Sequence, residues 1–502
     1  MPGKRELVVS ESKEAEYSGC PTCSSMRYLT IIGGQVVSSD CVRDLLVARH
    51  RVGLPIDVNY AAISHLLHDG FVPQPLTVYR DVFTIGIGFM AKLEKGAITF
   101  HRRFPFRLKS SRGDQDGNPQ ALLEHLARAT SAACKARADA VLLLSAGLDS
   151  TSLAVAAKHA GHDDLLCLTY GERDQHAEVD LARAVCHRLG LRHEAHIVDT
   201  ASKQIPQMLL RYAGAVPEPC GDPAQIASVS AIAASCNGNS VVLDGSGSDF
   251  YFWSPPRRLD LLKMQLGPGR FAGVRKMRSL LPFHVSYERL LSSPIEPYLL
   301  HGAWLRHCDT RRFFPQSVDT HRFWLSELLA NGEIPDEEAR FQARAMYVGP
   351  GAHMKKTRNA ALSVGALAQF PWSDAKVAEY CFHLPERRRY DRAGRKSKIL
   401  VREMLRQLID YDDDRVGKRP FLFGKRRFLE AHMQFCREQI GACALWSPAI
   451  GKTVDYLATS LAQGRPTENA LLSLLMVSLW HNHWFVGQLP GLLGEAQFRQ
   501  AG

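Results

Sequence analysis

The chain has 502 residues, with 62 Lys and Arg against 51 Asp and Glu, a formal net charge of +11, and 45% hydrophobic against 23% charged residues. That balance excludes a disordered or fibrous chain, and the length calls for two domains or three. The positive charge fits anionic partners such as nucleotides, nucleic acid or an acidic peptide, or else a merely basic surface.

No run of about 18 apolar residues is present, so no membrane-spanning segment is expected. The first 18 residues are charged and carry no apolar secretion segment, so the expected location is the cytoplasm. The 12 cysteines stand mostly alone in apolar segments, as suits reduced thiols. Cys20 and Cys23 form a CxxC without a second pair nearby, and a structural zinc, which needs four ligands, is not expected there.

Residues 1–25 are polar and expected to be loose. Tyr28 to Ile32 reads as a strand, Gly33-Gly34 as a turn, and Gln35-Val-Val as its return. Val58 to His68 reads as a helix with Asp57 as N-cap. Leu76 to Tyr79 and Val82 to Phe89 read as strands, followed by a hairpin through Leu93 to Gly96 that ends at Phe100. This strand-rich first domain is expected over 1–112, with the polar stretch Ser110 to Pro119 as linker. From 119 the pattern changes to helix (Ala121 to Ala136), buried strand (Ala138 to Leu144), helix (Ser150 to Ala160) and strand (Leu165 to Tyr170). Such alternation predicts an α/β fold with a doubly wound parallel sheet, a second domain over 119–502 that turns mostly helical beyond about 255.

Val141-Leu-Leu-Leu-Ser-Ala-Gly-Leu-Asp-Ser-Thr is the most informative segment: a buried strand runs through a turn of small residues into a helix. Unpaired N–H groups at a helix N-terminus attract phosphate, and small residues let that backbone come close. Ser145, Ser150 and Thr151 carry hydroxyls that donate to phosphate oxygens. Asp149 would repel phosphate unless a cation stands between them, so Mg²⁺ is implied. A capped turn without ligand is the bland alternative. Val241-Val-Leu-Asp-Gly-Ser-Gly-Ser-Asp249 repeats the strand-to-turn pattern and brings a second carboxylate, Asp249.

The first segment resembles the Ser-Gly-Gly-x-Asp-Ser loop of the ATP pyrophosphatase (PP-loop) superfamily, with Ala146 at a position usually Gly. Further stretches resemble asparagine synthetases: Glu218-Pro-Cys-Gly-Asp222-Pro, Val241 to Asp249 (similar to the family's Val-Val-Leu-Ser-Gly-Glu-Gly-x-Asp-Glu), Gly365 to Asp374, Lys398-Ile-Leu-Val-Arg402 and Arg415-Val-Gly-Lys-Arg-Pro-Phe421. The likeness runs over roughly 55–490. It implies a degenerate glutaminase-like first domain and a synthetase domain that binds ATP and Mg²⁺. It implies nucleotide contacts at Leu143, Ser145, Ala146, Gly147, Asp149, Ser150, Thr151, Leu168 and Gly245, Mg²⁺ on Asp149 and Asp249, and catalysis by these two carboxylates with Lys418.

The sequence also departs from that family. Asparagine synthetases of this type begin Met-Cys, and this chain begins Met1-Pro2, so that glutaminase chemistry is not expected unless processing exposes Cys20. Ser246 replaces the glutamate of the Gly-Glu-Gly turn, Phe250 an acid after the second metal aspartate, and Leu367 and Gln369 a Glu and an Arg. Nucleotide residues persist while acyl-facing residues change. Members without the glutaminase cysteine include β-lactam synthetases and lasso-peptide macrolactam synthetases. The expectation is therefore amide formation through an acyl-adenylate, releasing AMP and pyrophosphate. The leading form is macrolactam closure of a ribosomal peptide beside a leader-peptide protease, with no nucleic-acid partner. The alternative is a small-molecule ligase, either an ammonia-dependent asparagine synthetase or a β-lactam-synthetase-like enzyme. An RNA-modifying PP-loop enzyme would carry catalytic cysteines or an RNA-binding module, and neither is visible. A non-catalytic scaffold would not need Asp149, Asp249 and Lys418. Tyr251 and Glu178 are the candidates for a general base.

Overall fold

The computed structural model describes residues 8–9, 16–19, 26–106, 117–172, 176–252, 305–329, 336–411 and 423–498. Cys20, Cys23, Lys418 and most of the expected linker lie outside the described residues.

The N-terminal part holds two antiparallel sheets. One has the order β1 (Val8–Val9), β4 (Gln35–Ser39), β3 (Arg27–Ile32), β5 (Val82–Ile85); the other has the order β2 (Glu16–Ser18), β6 (Phe89–Glu94), β7 (Ala97–Arg102). The β3–β4 hairpin turns at Gly33 and Gly34, with φ of 59° and 77°, which glycine adopts without a Cβ clash. The expected strand over Val82 to Phe89 is broken in two by a turn at Gly86–Gly88. Leu76 to Tyr79 is no strand; it makes only single bridges, Leu76 to Phe83 and Tyr79 to Val58. The helix after Asp57 starts at Tyr60 instead, because Asn59 is its cap. The Asn59 side chain accepts from the amides of Ala61 and Ala62, while Asp57 faces Arg80 at 3.5 Å.

The second part is built on a parallel sheet of β8 (Asp139–Leu143), β9 (Leu166–Glu172), β10 (Arg192–Val198), β11 (Ser240–Leu243) and β12 (Leu367–Gln369). Its order is β10-β9-β8-β11-β12, with every pairing parallel. The chain adds β9 and β10 on one side of β8 and then returns to add β11 on the other. That reversal opens a crevice beyond the carboxyl ends of β8 and β11, where doubly wound sheets bind ligands. The inner strands β8 and β11 are mostly apolar and buried, as strands covered on both faces are, whereas the edge strand β10 carries Arg192, His193, Glu194 and His196 and is largely exposed.

The helix Pro119–Cys134 begins as its sequence requires: Asn118 caps Ala121 N at 2.8 Å, and Pro119 occupies the first turn, where its missing N–H costs nothing. The helix His176–Leu189 stops at Gly190, whose φ is +65°. The two parts share one apolar core. Leu45, Leu46, Ile63, Leu66 and Tyr79 pack in the same cluster as Leu143, Leu168, Val242 and Trp480. Every cysteine among the described residues is a free thiol. No helix among the described residues is long and apolar enough to cross a membrane.

Candidate functional site

Three strand ends frame a cleft of about 270 Å³. The turn after β8 supplies Ser145, Gly147, Asp149 and Ser150. The turn after β11 supplies Asp244 to Phe250, and β9 supplies Tyr170. Glu178, Arg344, Gly349, His353 and Lys356 complete the walls.

The β8 turn is folded on itself. Ser150 Oγ donates to the Ser145 carbonyl (2.9 Å), accepts from Ser145 N (3.0 Å) and meets Ser145 Oγ (3.0 Å). Gly147 N donates to Ser145 Oγ at 3.2 Å. Gly147 is the N-cap of the helix Leu148–His159 and makes no side-chain cap bond, and Gly147, Asp149 and Ser150 line the cleft at this helix start, where backbone N–H groups lack intrahelical partners. This is the donor set expected for a phosphate.

The two turns touch. A Cβ on Gly245 would lie 2.9 Å from Ser150 N, so glycine is needed for this approach. Ser248 Oγ donates to Asp149 Oδ1 at 2.6 Å, and Trp372 Nε1 to the Asp149 carbonyl at 3.1 Å. Lys398 Nζ lies 2.7 and 2.5 Å from the two Asp149 oxygens and 2.9 Å from Asp249 Oδ1. Asp249 Oδ2 also faces Arg344 at 3.2 Å. The turns thus bring the two carboxylates onto one cation. Burial by itself lowers the Lys398 pKa, but the charges of Asp149 and Asp249 outweigh it and raise it, so Lys398 is an ammonium here.

Lys356 repeats this logic on the cleft floor. Burial opposes its charge, and Tyr170, Asp222 and Asp244 override burial to raise its pKa. Asp244 Oδ1 is held by Ser246 N (2.7 Å) and Ser246 Oγ (2.6 Å), and its Oδ2 by the Thr357 hydroxyl. The neighbouring Lys355 pairs with Glu218 at 2.5 Å, and the same carboxylate oxygen accepts Tyr28 OH at 2.6 Å. A strand of the N-terminal sheet thereby reaches the helix that carries Lys356.

The wall opposite is a π-helical segment, Arg344–His353, with Pro350 inside it. At about 3.6 residues per α-helical turn, positions five apart point to nearly opposite sides. A π turn pairs i with i+5, so Arg344 and Gly349 come to one face. Gly349 is required by Phe250, whose ring would lie 2.2 Å from an added Cβ.

Of the expected nucleotide residues, Leu143, Ser145, Gly147, Asp149, Ser150 and Gly245 line the cleft, with Asp249. Three do not. Ala146 is turned inward, and its carbonyl accepts the Tyr411 hydroxyl. Thr151 is fully buried on the packed side of its helix, and Leu168 is buried in the core beside Leu143. Ala146 and Thr151 each follow a lining residue, Ser145 and Ser150, and point to the packed side, whereas Leu168 lies within β9 away from the cleft. Tyr251 is equally withdrawn: it is 2% exposed and its hydroxyl donates to the Trp372 carbonyl at 2.8 Å. Glu178 does reach the cleft.

Lys398, Lys356, Arg344 and His353 were not singled out as site residues from the sequence. Lys398 lay in a family-like stretch without an assigned role, and Lys355-Lys356 reads as a solvated pair. Gly349-Pro350-Gly351 inside a helical run was an available signal, since proline breaks the α-helical ladder.

A switch-point crevice with a phosphate-type helix N-terminus and paired carboxylates defines a nucleotide-handling α/β protein. The chain belongs to the asparagine synthase family, whose model matches residues 121–481. Proteins of Mycobacterium bovis and Mycobacterium tuberculosis, each described as "Putative asparagine synthetase (glutamine-hydrolyzing)", are 30% identical to it over 232 residues. Those alignments cover 44% of this chain and 34% of each relative, so the match spans about a third of their length.

Proposed function

We infer that this chain is an ATP-dependent ligase that joins a carboxylate to an amine. The observation that carries this reading is the meeting of the β8 and β11 turns, which places phosphate donors and two carboxylates on one cleft. The Ser145 hydroxyl and the amides that follow Gly147 would hold the β- and γ-phosphates, with the Ser150 hydroxyl fixing the turn through its bond to the Ser145 carbonyl. Asp149 and Asp249 fit Mg²⁺. Both are hard oxygen donors within reach of one cation, and Mg²⁺ commonly takes one or two carboxylates with substrate phosphates. When bound, Mg²⁺ neutralises charge on the leaving pyrophosphate. The substrate carboxylate would attack the α-phosphorus, and the amine would then displace AMP from the acyl-adenylate. Lys418 would stabilise the developing charge, a role that rests on the family resemblance.

The finer reading is macrolactam closure of a ribosomal peptide, an Asp or Glu side chain joined to the new N-terminus, in the cytoplasm beside a leader-peptide protease. The acyl end of the cleft supports it: Phe250 packs on Gly349 where the family pattern has an acid, and Ser246 is spent on Asp244. A free amino acid would lack those acids as partners for its ammonium group. Against it stands an asparagine synthetase, favoured by the names of the relatives. The test is AMP and pyrophosphate release from Mg-ATP. Release that depends on a precursor peptide and its protease, with loss of one water from the peptide, supports macrolactam formation. Release with aspartate and ammonia alone refutes it and restores asparagine synthesis.

A further inference from the structure

Lys398 has an unusual setting. It follows a two-stranded hairpin, Tyr390–Asp391 with Lys396–Ser397, and opens the helix Ile399–Ile409 with φ 61° and ψ 39°. A non-glycine residue in the left-handed region costs energy and persists where its surroundings fix it. Here the fixing contacts are electrostatic. The ammonium stands 2.5 to 2.9 Å from three oxygens of Asp149 and Asp249, and Lys398 is 9% exposed. Asp149 is further aligned by Ser248 and Asp249 by Arg344.

We propose that Lys398 is the resident counter-ion of this carboxylate pair and excludes a free divalent cation from it. A metal at contact distance from the same oxygens would stand beside the ammonium, and the like-charge repulsion makes the ammonium give way before a metal enters. An arriving phosphate supplies the ammonium with another anion; a metal alone supplies none. Divalent cation binding is therefore conditional on nucleotide, and Lys398 positions the two carboxylates in its absence. This rests on the reading that Asp149 and Asp249 are the metal carboxylates.

The test is Mn²⁺ titration of the purified full chain without nucleotide, read by electron paramagnetic resonance of the free ion. Lys398→Met should bind Mn²⁺ at least tenfold more tightly than the wild type. Lys398→Arg, which keeps a cation, should stay near wild type, and Asp149→Asn added to Lys398→Met should remove the gain. Lys398→Gln serves the same purpose if circular dichroism shows Lys398→Met unfolded. A wild type that binds Mn²⁺ as tightly as Lys398→Met overturns the inference and leaves the metal reading standing. Mn²⁺ bound by none of these proteins, with or without an α,β-methylene ATP analogue, overturns the metal reading and the inference with it.

Discussion

Gly245→Ala is the substitution whose cost follows most directly from the geometry. Its Cβ would lie 2.9 Å from Ser150 N and 3.1 Å from the Asp149 carbonyl carbon. Non-bonded heavy atoms prefer about 3.5 Å, so the two turns must part by roughly half an ångström. The obstacle is backbone at a helix N-terminus, which cannot rotate away. Overpacking of this kind costs about 1–3 kcal/mol. Because the displaced atoms are the expected phosphate donors, and a hydrogen bond to a charged group contributes about 1.5–3 kcal/mol, weakening one should lower ATP affinity about tenfold. Urea unfolding and calorimetric ATP titration read the two effects. Gly147→Ala is the control for stability: its φ is −74° and the nearest atom is Ser145 Oγ at 3.1 Å, a side chain that can turn. It should change stability by no more than about 0.5 kcal/mol. Gly247→Ala should be the worst of the three, since φ is +124° and Ser373 Oγ would lie 2.6 Å away. A Gly245→Ala protein with wild-type stability and ATP affinity would refute the contact between the turns.

Glu218→Gln should destabilise by about 3 kcal/mol, since it leaves the sheltered Lys355 ammonium without its carboxylate, and Lys355→Met in that background should recover at least half of this in denaturant unfolding. His68 is buried between the Thr310 and Thr320 hydroxyls, and burial lowers its pKa to about 4 from 6.5. The unfolded chain therefore binds the proton more readily, and about 3 kcal/mol of stability should be lost as pH falls from 6.5 to 4; His68→Asn should flatten that slope, measured by thermal melts across this range. Tyr251→Phe should cost about 1 kcal/mol for the lost bond to the Trp372 carbonyl and leave AMP release unchanged, whereas a tenfold fall in turnover would make Tyr251 a general base after all.

Much of this protein was legible in its sequence where one short segment carries its own physics. The apolar run Val141 to Leu144, the small turn and the hydroxyl-bearing helix start are a local pattern, and β8, its turn and the helix Leu148–His159 follow it within two residues. Gly33-Gly34 and Asn118-Pro119 announced their turn and cap for the same reason: glycine, proline and asparagine constrain the backbone by themselves. Asn59 was the harder case, because Asp57 is as good a cap by type and only the start of the helix decides between them.

Contacts across long stretches of chain were decided by the tertiary structure. Asp149, Asp249 and Lys398 are spread over 249 positions, and only the sheet order β9-β8-β11 and the helix after Lys398 bring them within 3 Å. Thr151 and Leu168 have side chains suited to the site, but packing turned them into the core. Lys356 reads as a surface lysine, and it stays an ammonium in a half-buried place because Asp222 and Asp244, from two other loops, compensate its desolvation. The sequence by itself determined the short segments whose own residues fix a turn or a helix start, such as Gly33-Gly34, Asn118-Pro119 and the turn after β8. The tertiary structure decided which of them face the cleft and which charges meet, because burial and Coulomb energy depend on distances that no local pattern encodes.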